Sequence, residues 1–174
     1  LNLGFYKTLS NSSNISYGSE YIYNRVGSSA SKINIDTNVS EAIATRYPDG
    51  SKWQTIAAYL SHKYKPNSKF TVQSGIRYNY VTIDADLTNN NQFYYLPFQT
   101  ADLETTALTG TFGLSWNPND TFLWKLNATT AFRAPNIDDI GKIFDPQDGL
   151  VVVPNGNLKP EYAYGGELGM TINL

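Results

Sequence analysis

The chain has 174 residues, no Cys, 13 Lys+Arg against 15 Asp+Glu, and a formal net charge of -2. The missing Cys excludes a disulfide framework and Cys-based metal sites, and the charge balance lacks the basic footprint of a nucleic-acid partner. Only 16% of residues are charged while 14% are aromatic, a mixture that suits a sheet with one apolar face and one polar, uncharged face.

No run of about 18 apolar residues is present, so no transmembrane helix is expected. Leu1 opens directly in strand-like sequence, without the basic and apolar regions of a secretory leader.

In chain order, the dominant signal is period-two alternation. It is weak at Leu1–Tyr6 and Ile15–Tyr23, which flank a polar turn near Leu9–Ser13. A long polar segment, Gly27–Ser51, follows. Ile56, Ala58, Leu60 and Tyr64 then oppose Thr55, Ser61 and Lys63, and Pro66-Asn67-Ser68 makes a short turn. From Phe70 to Tyr80 one parity carries Phe70, Val72, Ile76 and Tyr78, and the other carries Gln73, Arg77 and Asn79. Successive strand side chains point to opposite faces, so each such segment has an apolar and a polar side. After a second long polar segment, Asp86–Thr105, the run Leu108, Phe112, Leu114 and Trp116 alternates with Thr109, Thr111 and Ser115. The turn Asn117-Pro118-Asn119-Asp120 leads into Phe122, Trp124, Leu126 and Phe132, set against Lys125, Asn127 and Thr129. A third long segment, Arg133–Lys159, precedes Tyr162, Tyr164, Leu168 and Met170, which oppose Glu161 and Glu167.

The pattern predicts about seven strands, several of roughly 10 to 14 residues, longer than the five or six usual in globular sheets. Short turns alternating with long loops are the rhythm of bacterial outer-membrane barrels. The expected fold class is all-β, an antiparallel transmembrane β-barrel segment. The competing architecture is a soluble β-sandwich with core aromatics near strand ends, which requires neither the strand length nor the loop asymmetry. Aromatics beside the short turns (Tyr64, Phe70, Trp116, Phe122, Trp124) suit a membrane-interface girdle. Phe70, Val72, Ile76, Tyr78, Phe112, Leu114, Leu126, Leu168 and Met170 are expected to face lipid. Gln73, Arg77, Thr109, Asn127, Glu161 and Glu167 are expected to face the lumen. Seven strands with two open edges cannot sit alone in hydrocarbon, so residues 1–174 are expected to be part of a longer polypeptide that supplies the rest of the barrel.

The most specific stretch runs from Asn127 to Gly169. It contains Phe132-Arg133-Ala134-Pro135-Asn136, then Ile137-Asp138-Asp139-Ile140-Gly141, then Pro154-Asn155-Gly156-Asn157-Leu158-Lys159-Pro160-Glu161, and ends in Glu167-Leu168-Gly169. This resembles TonB-dependent outer-membrane receptors, in which a "FRAP"-like box closes one strand and an "NPNLKPE"-like box opens the next. Gly156 stands where that family usually has Pro. In physical terms, Pro135 cannot donate to a ladder and must end its strand, while Pro154 and Pro160 bracket a turn-prone run.

The resemblance implies a barrel of about 22 strands, a plug domain and a TonB box that this chain lacks, and a place in the outer membrane of a Gram-negative bacterium. The implied function is TonB-energised import of a scarce nutrient of the iron-siderophore, haem or cobalamin class. The alternatives are a glycan importer working with a surface lipoprotein, and a passive porin or structural barrel. Implied partners are outer-membrane lipid, the remainder of the barrel and plug, the TonB complex and a small-molecule or metal-complex substrate. The substrate and loop candidates are Arg133, Asn136, Asp138, Asp139, Asn155, Asn157 and Lys159. Haem receptors that resemble this family place a His between the two boxes, and Arg133–Leu158 contains none.

No enzyme is expected. His62 is the only His, so Ser/His/Asp or Cys/His catalysis has little to build on. No phosphate loop or other cofactor motif is present. Asp138-Asp139 and Asp145/Asp148 are open to a loop cation, or else to solvated loop and helix N-cap roles; no metal site is assigned. Asp138–Phe144 reads as one short helical turn. The whole Arg133–Glu161 segment is expected to fold back over the barrel mouth. Ile137, Ile140, Ile143 and Phe144 would then need cover, the run Leu150–Val153 would pack on a neighbouring loop or the plug, and the four Asp residues would stay wet.

Overall fold

The structure, a computed structural model, describes residues 1–147 and 150–173, and for residues 145–147 the backbone alone. Its strands are β1 (Asn2–Ser10), β2 (Ser13–Arg25), β3 (Ser31–Ile33), β4 (Ser40–Ala42), β5 (Lys52–Tyr64), β6 (Phe70–Asp84), β7 (Leu103–Trp116), β8 (Phe122–Arg133), β9 (Phe144–Gln147), β10 (Leu150–Val152) and β11 (Glu161–Ile172). One turn of helix, α1 (Ile137–Ile140), follows β8. Seven strands form one antiparallel sheet in the order β1-β2-β5-β6-β7-β8-β11, so each long strand pairs with the next long strand in the chain. The pairs β3/β4 and β9/β10 are small separate hairpins inside the first and third long connections. The period-two reading left those connections irregular, because three- and four-residue strands are too short to register as alternation.

The register carries the alternation across the whole sheet. Tyr64, Val72, Leu114, Leu126 and Leu168 lie in one row of paired positions, and the adjacent row is Lys63, Gln73, Gly113, Asn127 and Glu167. One face is predominantly apolar and the other predominantly polar, and a one-residue slip would exchange them. Arg77 and Phe112 fall on opposite faces: Phe112 pairs with Ser74, three positions from Arg77 along β6. The apolar face is open to the surroundings, with Leu60, Ile76, Leu108, Phe112 and Leu168 each 42–70% exposed.

Two aromatic belts bound that face. At the short turns Phe70 and Trp116 stack at 6.0 Å with 8° between rings. At the far end stand Tyr78, Tyr80, Phe132 and Tyr162, with Phe132 and Tyr162 6.3 Å apart. Phe70 and Tyr80 are ten positions apart in β6, roughly 34 Å along a strand. At a tilt of about 40° this gives a band close to 25 Å tall, the height of an outer-membrane apolar belt.

Two of the short turns use one device. Asn67 Oδ1 accepts from the N–H groups of Lys69 and Phe70 at 2.9 and 3.1 Å. Asn119 Oδ1 accepts from Thr121 and Phe122, both at 3.1 Å. Each Asn follows a Pro, whose fixed φ starts the turn that the Asn side chain closes. On the polar face Tyr59 lies over Gly18: a Cβ there would stand 2.6 Å from the Tyr59 hydroxyl and 2.2 Å from the Leu3 carbonyl. Only Gly lets the ring and β1 approach together. Farther along this face Arg77 reaches across β5, above the small Ala57, to Glu20 at 2.6 Å, while its Nε donates to Asn79 at 2.8 Å.

The β7–β8 ladder is shorter than its neighbours, running only from Thr111/Thr129 to Trp116/Trp124. Above it the Thr130 hydroxyl takes the place of a strand partner and accepts from the Gly110 N–H at 2.7 Å. Farther up, Tyr162 reaches over from β11 and donates to the Thr106 carbonyl at 3.4 Å.

The two faces differ in their tolerance of charge. In the full-length barrel refolded into lipid vesicles, Leu60→Arg is expected to destabilise by about 2–4 kcal/mol, and the adjacent Ser61→Arg by less than about 1 kcal/mol. Equal costs in denaturant titrations would contradict an outward apolar face.

Candidate functional site

The three long connections converge at the end of the sheet opposite the short turns. There they cover the polar face, where Trp53, Ile83 and Leu103 lie in one row. Ile83 and Leu103 are buried with Ile140 of α1, and Trp53, Ile137 and Leu158 pack around them. A second cluster joins Ala85, Leu87 and Ala101 of the second connection to Ile143 of the third, with Phe98 and Ile137 against it. Ile137 belongs to both. Ile140 and Ile143 are 0% and 1% exposed. Burying an Ile side chain is worth about 1.5–3 kcal/mol, enough for two such residues to hold a loop down.

Local sequence explains α1. Asn136 is its N-cap, accepting from the Asp138 and Asp139 N–H groups at 2.8 and 3.1 Å. Asp139 Oδ2 accepts in return from the Asn136 N–H at 3.0 Å, completing a capping box. The same Asp139 oxygen holds Arg133 Nη2 at 2.7 Å, and Arg133 Nη1 lies 3.6 Å from Glu161. Arg133 and Glu161 are also paired in the sheet. The two boxes that flank the third connection are thus joined through one guanidinium.

Asp138 looks the other way. Its Oδ1 accepts from the Tyr47 hydroxyl at 2.6 Å and lies 3.6 Å from Lys142 Nζ. The Arg46 carbonyl accepts from the Ile143 N–H at 2.9 Å, and the Arg46 guanidinium stands 5.8 Å from the Tyr47 ring and 5.4 Å from the Phe144 ring. Asn90, buried, donates to the Thr45 carbonyl at 2.8 Å and so ties the second connection to the first. The Tyr47 hydrogen bond holds the Asp138 carboxyl below the usual carboxylate range, and the same bond raises the Tyr47 phenol.

A cleft of about 380 Å³ opens between the second and third connections, with Phe98, Thr100 and Asp102 on one wall and Pro154, Asn155 and Asn157 on the other. Its polar side chains are two neutral amides, a hydroxyl and one carboxylate.

The candidate residues therefore divide. Arg133, Asn136, Asp138 and Asp139 come together around α1. Asn155 and Asn157 line the cleft instead, with Asn155 Oδ1 accepting from the Asn157 N–H at 3.0 Å. Lys159 is exposed and outside the cleft lining. Gln73, Arg77, Asn127, Glu161 and Glu167 share the polar face with the covered row. The helical turn ends at Ile140, so Phe144 sits in β9 instead of on it. Leu150–Val153 is 38–50% exposed, with no loop of the described residues covering it. Asp148 and the Asp145 side chain lie outside the described residues. Among the described residues no three of His, Asp and Glu gather as a metal would require. His62 bonds Ser13 Oγ at 2.8 Å beside the short turns. Sequence reasoning missed Tyr47, Asn90 and Asp102, which lie in connections without periodicity; the only local signals were the Arg-Tyr-Pro run at 46–48 and the triple Asn at 89–91.

Residues 1–174 match the family described as TonB dependent receptor-like, beta-barrel. The chain belongs to that family. Three solved structures share the fold. The copper transporter OprC matches at TM-score 0.73 and 14% identity, over 94% of this chain and 25% of that one. A double mutant of the Serratia marcescens hemophore receptor HasR, in complex with its hemophore HasA and heme, matches at 0.69 and 14%, over 98% and 28%. The FrpB iron transporter from Neisseria meningitidis matches at 0.62 and 14%, over 99% and 25%. The chain spans about a quarter of the length of each. No curated protein sequence matches it. As a stretch of TonB-dependent receptor barrel, it belongs to the Gram-negative outer membrane.

Two measurements test the loop network. Asp139→Ala removes both the capping-box acceptor and the Arg133 partner; it is expected to cost about 1–2 kcal/mol, seen as faster hydrogen exchange at residues 138–141 with little change in global unfolding. The Tyr47–Asp138 contact has a pH window. The lowered carboxyl contributes stability that is lost as pH falls below the ordinary Asp range, and the raised phenol contributes stability that is lost as pH rises above the ordinary Tyr range. Protection factors at residues 45–47 and 138–143, taken against the intrinsic exchange rate at each pH, should therefore stay high between about pH 5 and 9 and fall outside that window. A flat profile, or one that Tyr47→Phe leaves unchanged, would contradict the contact.

Proposed function

We propose that this chain is part of the wall and mouth of an active importer, taking up a scarce nutrient of the iron-complex, haem or cobalamin class with TonB-derived energy. The carrying observation is the convergence of three long connections over one end of the polar face, on a family barrel. In this reading that face is the lumen: Gln73, Arg77, Thr109, Asn127, Glu161 and Glu167 line it, the short turns are periplasmic and the long connections external. Long loops with their own packed core are more often functional than idle. The names of the three similar structures, which concern copper, heme and iron, support a metal or metal complex as cargo. Axial haem ligation by a His of the third connection does not fit, since residues 133–158 contain no His. A plug, a TonB contact and any surface lipoprotein would be supplied outside this chain.

The test uses the full-length receptor. Deleting residues 138–153 is expected to lower energised uptake sharply while the barrel still inserts and keeps its heat-resistant mobility. Uptake that survives both this deletion and collapse of the inner-membrane proton gradient would favour a passive pore.

A further inference from the structure

We propose that Asn155 is a self-modifying site, at which the chain converts an amide of the cleft into a carboxylate. Asn155-Gly156 is the only Asn-Gly pair in the sequence, and it stands where the resembling receptors place Pro after Asn. A Pro has no N–H; Gly156 has one, together with the least hindered approach of any residue.

The local geometry favours the reaction. Asn155 Oδ1 accepts from the Asn157 N–H at 3.0 Å. The closed ring folds the side chain back over the Gly156 peptide and polarises the Asn155 Cγ carbonyl. Both residues are exposed, and among the described residues no protein acceptor engages the Gly156 N–H. The Gly156 nitrogen attacks Asn155 Cγ, forming a C–N bond. The bond to the side-chain nitrogen breaks, and the proton from Gly156 leaves with it as ammonia. Water then opens the five-membered imide at one of its two carbonyls, giving Asp or the backbone-lengthened isoaspartyl linkage. The only co-reactant is water, and hydroxide accelerates the first step by removing the Gly156 proton.

The product changes the cleft. A carboxylate at 155 faces Asp102 across the same opening, so like charges replace an amide and a carboxylate. The isoaspartyl form also adds a backbone atom inside the second box, between the buried Pro154 and the strand start at Glu161.

Asn67 and Asn119 are internal controls. Each makes the same side-chain bond to the N–H two residues on, at 2.9 and 3.1 Å, but precedes Ser or Asp instead of Gly. The experiment holds the full-length receptor in detergent at mildly alkaline pH and follows peptide masses and isoaspartate with time. The expected result is amide loss at Asn155 well ahead of Asn67 and Asn119, with isoaspartate among the products. Gly156→Pro should abolish it. Gly156→Val keeps the N–H but crowds the attack, and should slow it even where the Pro variant fails to insert; a Cβ at 156 meets only the Asp102 and Ala101 backbone at ordinary distances, the nearest atom being the Asp102 carbonyl oxygen at 3.5 Å. Amide loss at Asn155 no faster than at Asn67, or undiminished in the inserted variants, would overturn the proposal.

Discussion

Everything in this molecule depends on backbone hydrogen bonding where water is absent. In hydrocarbon an unpaired N–H or C=O costs several kcal/mol, so a chain that crosses as strands must pair each with its neighbours. The simplest solution joins consecutive strands antiparallel, and the sheet order follows it without a crossover. Once pairing is complete, side chains alternate between the two faces of the sheet, and each face takes a dominant character. The β7–β8 seam shows how strict the requirement is. Where the ladder stops, the Thr130 and Tyr162 hydroxyls supply partners to β7, because side chains are the only other donors and acceptors at hand.

The two boxes are intelligible as parts of one joint. Pro135 ends β8, Asn136 starts α1, and Asp139 serves the cap and Arg133 together. Arg133 then meets Glu161, its register partner at the start of β11. Each pair taken singly is weak, since Arg133 and Glu161 are more than half exposed and such pairs contribute under about 1 kcal/mol. Their combined effect is directional: they set the angle at which the third connection leaves the wall, so that Ile137 and Ile140 arrive over Ile83 and Leu103.

This division explains what could be read beforehand. The seven strands, their faces and the short turns were legible because each residue's role there depends on near neighbours and on period two. Pro135 was legible as a strand stop for the same reason; a helical turn was legible as well, but over Asp138–Phe144, whereas its cap is Asn136 and it spans Ile137–Ile140. Tyr47 was not, since its partner Asp138 lies 91 positions away and nothing in a single sequence marks that meeting. Asn90 and Asp102 are hidden in the same way. The run Leu150–Val153 is a different case: its apolarity suggested cover by a neighbouring loop or the plug, and among the described residues β10 pairs with β9 while those side chains stay 38–50% exposed.

That last difference bears on how the third connection works. Its first half is anchored: Ile137, Ile140 and Ile143 are sunk between the wall and the second connection, and Asp138 and Asp139 are bound to Tyr47 and Arg133. Its second half is mixed: the arm Leu150–Val152 and the Asn155-Gly156-Asn157 turn are exposed, while Pro154 is buried and Leu158 packs on the cluster around Ile140. Exposed apolar side chains on an unanchored loop would collapse onto the nearest available surface. Here the arm Leu150–Val152 is paired with β9, while the anchored half is buried through Ile140 and Ile143. The third connection is therefore fixed at both ends, by Ile137, Ile140 and Ile143 on one side and by Leu158 on the other, and its exposed residues lie between those two points.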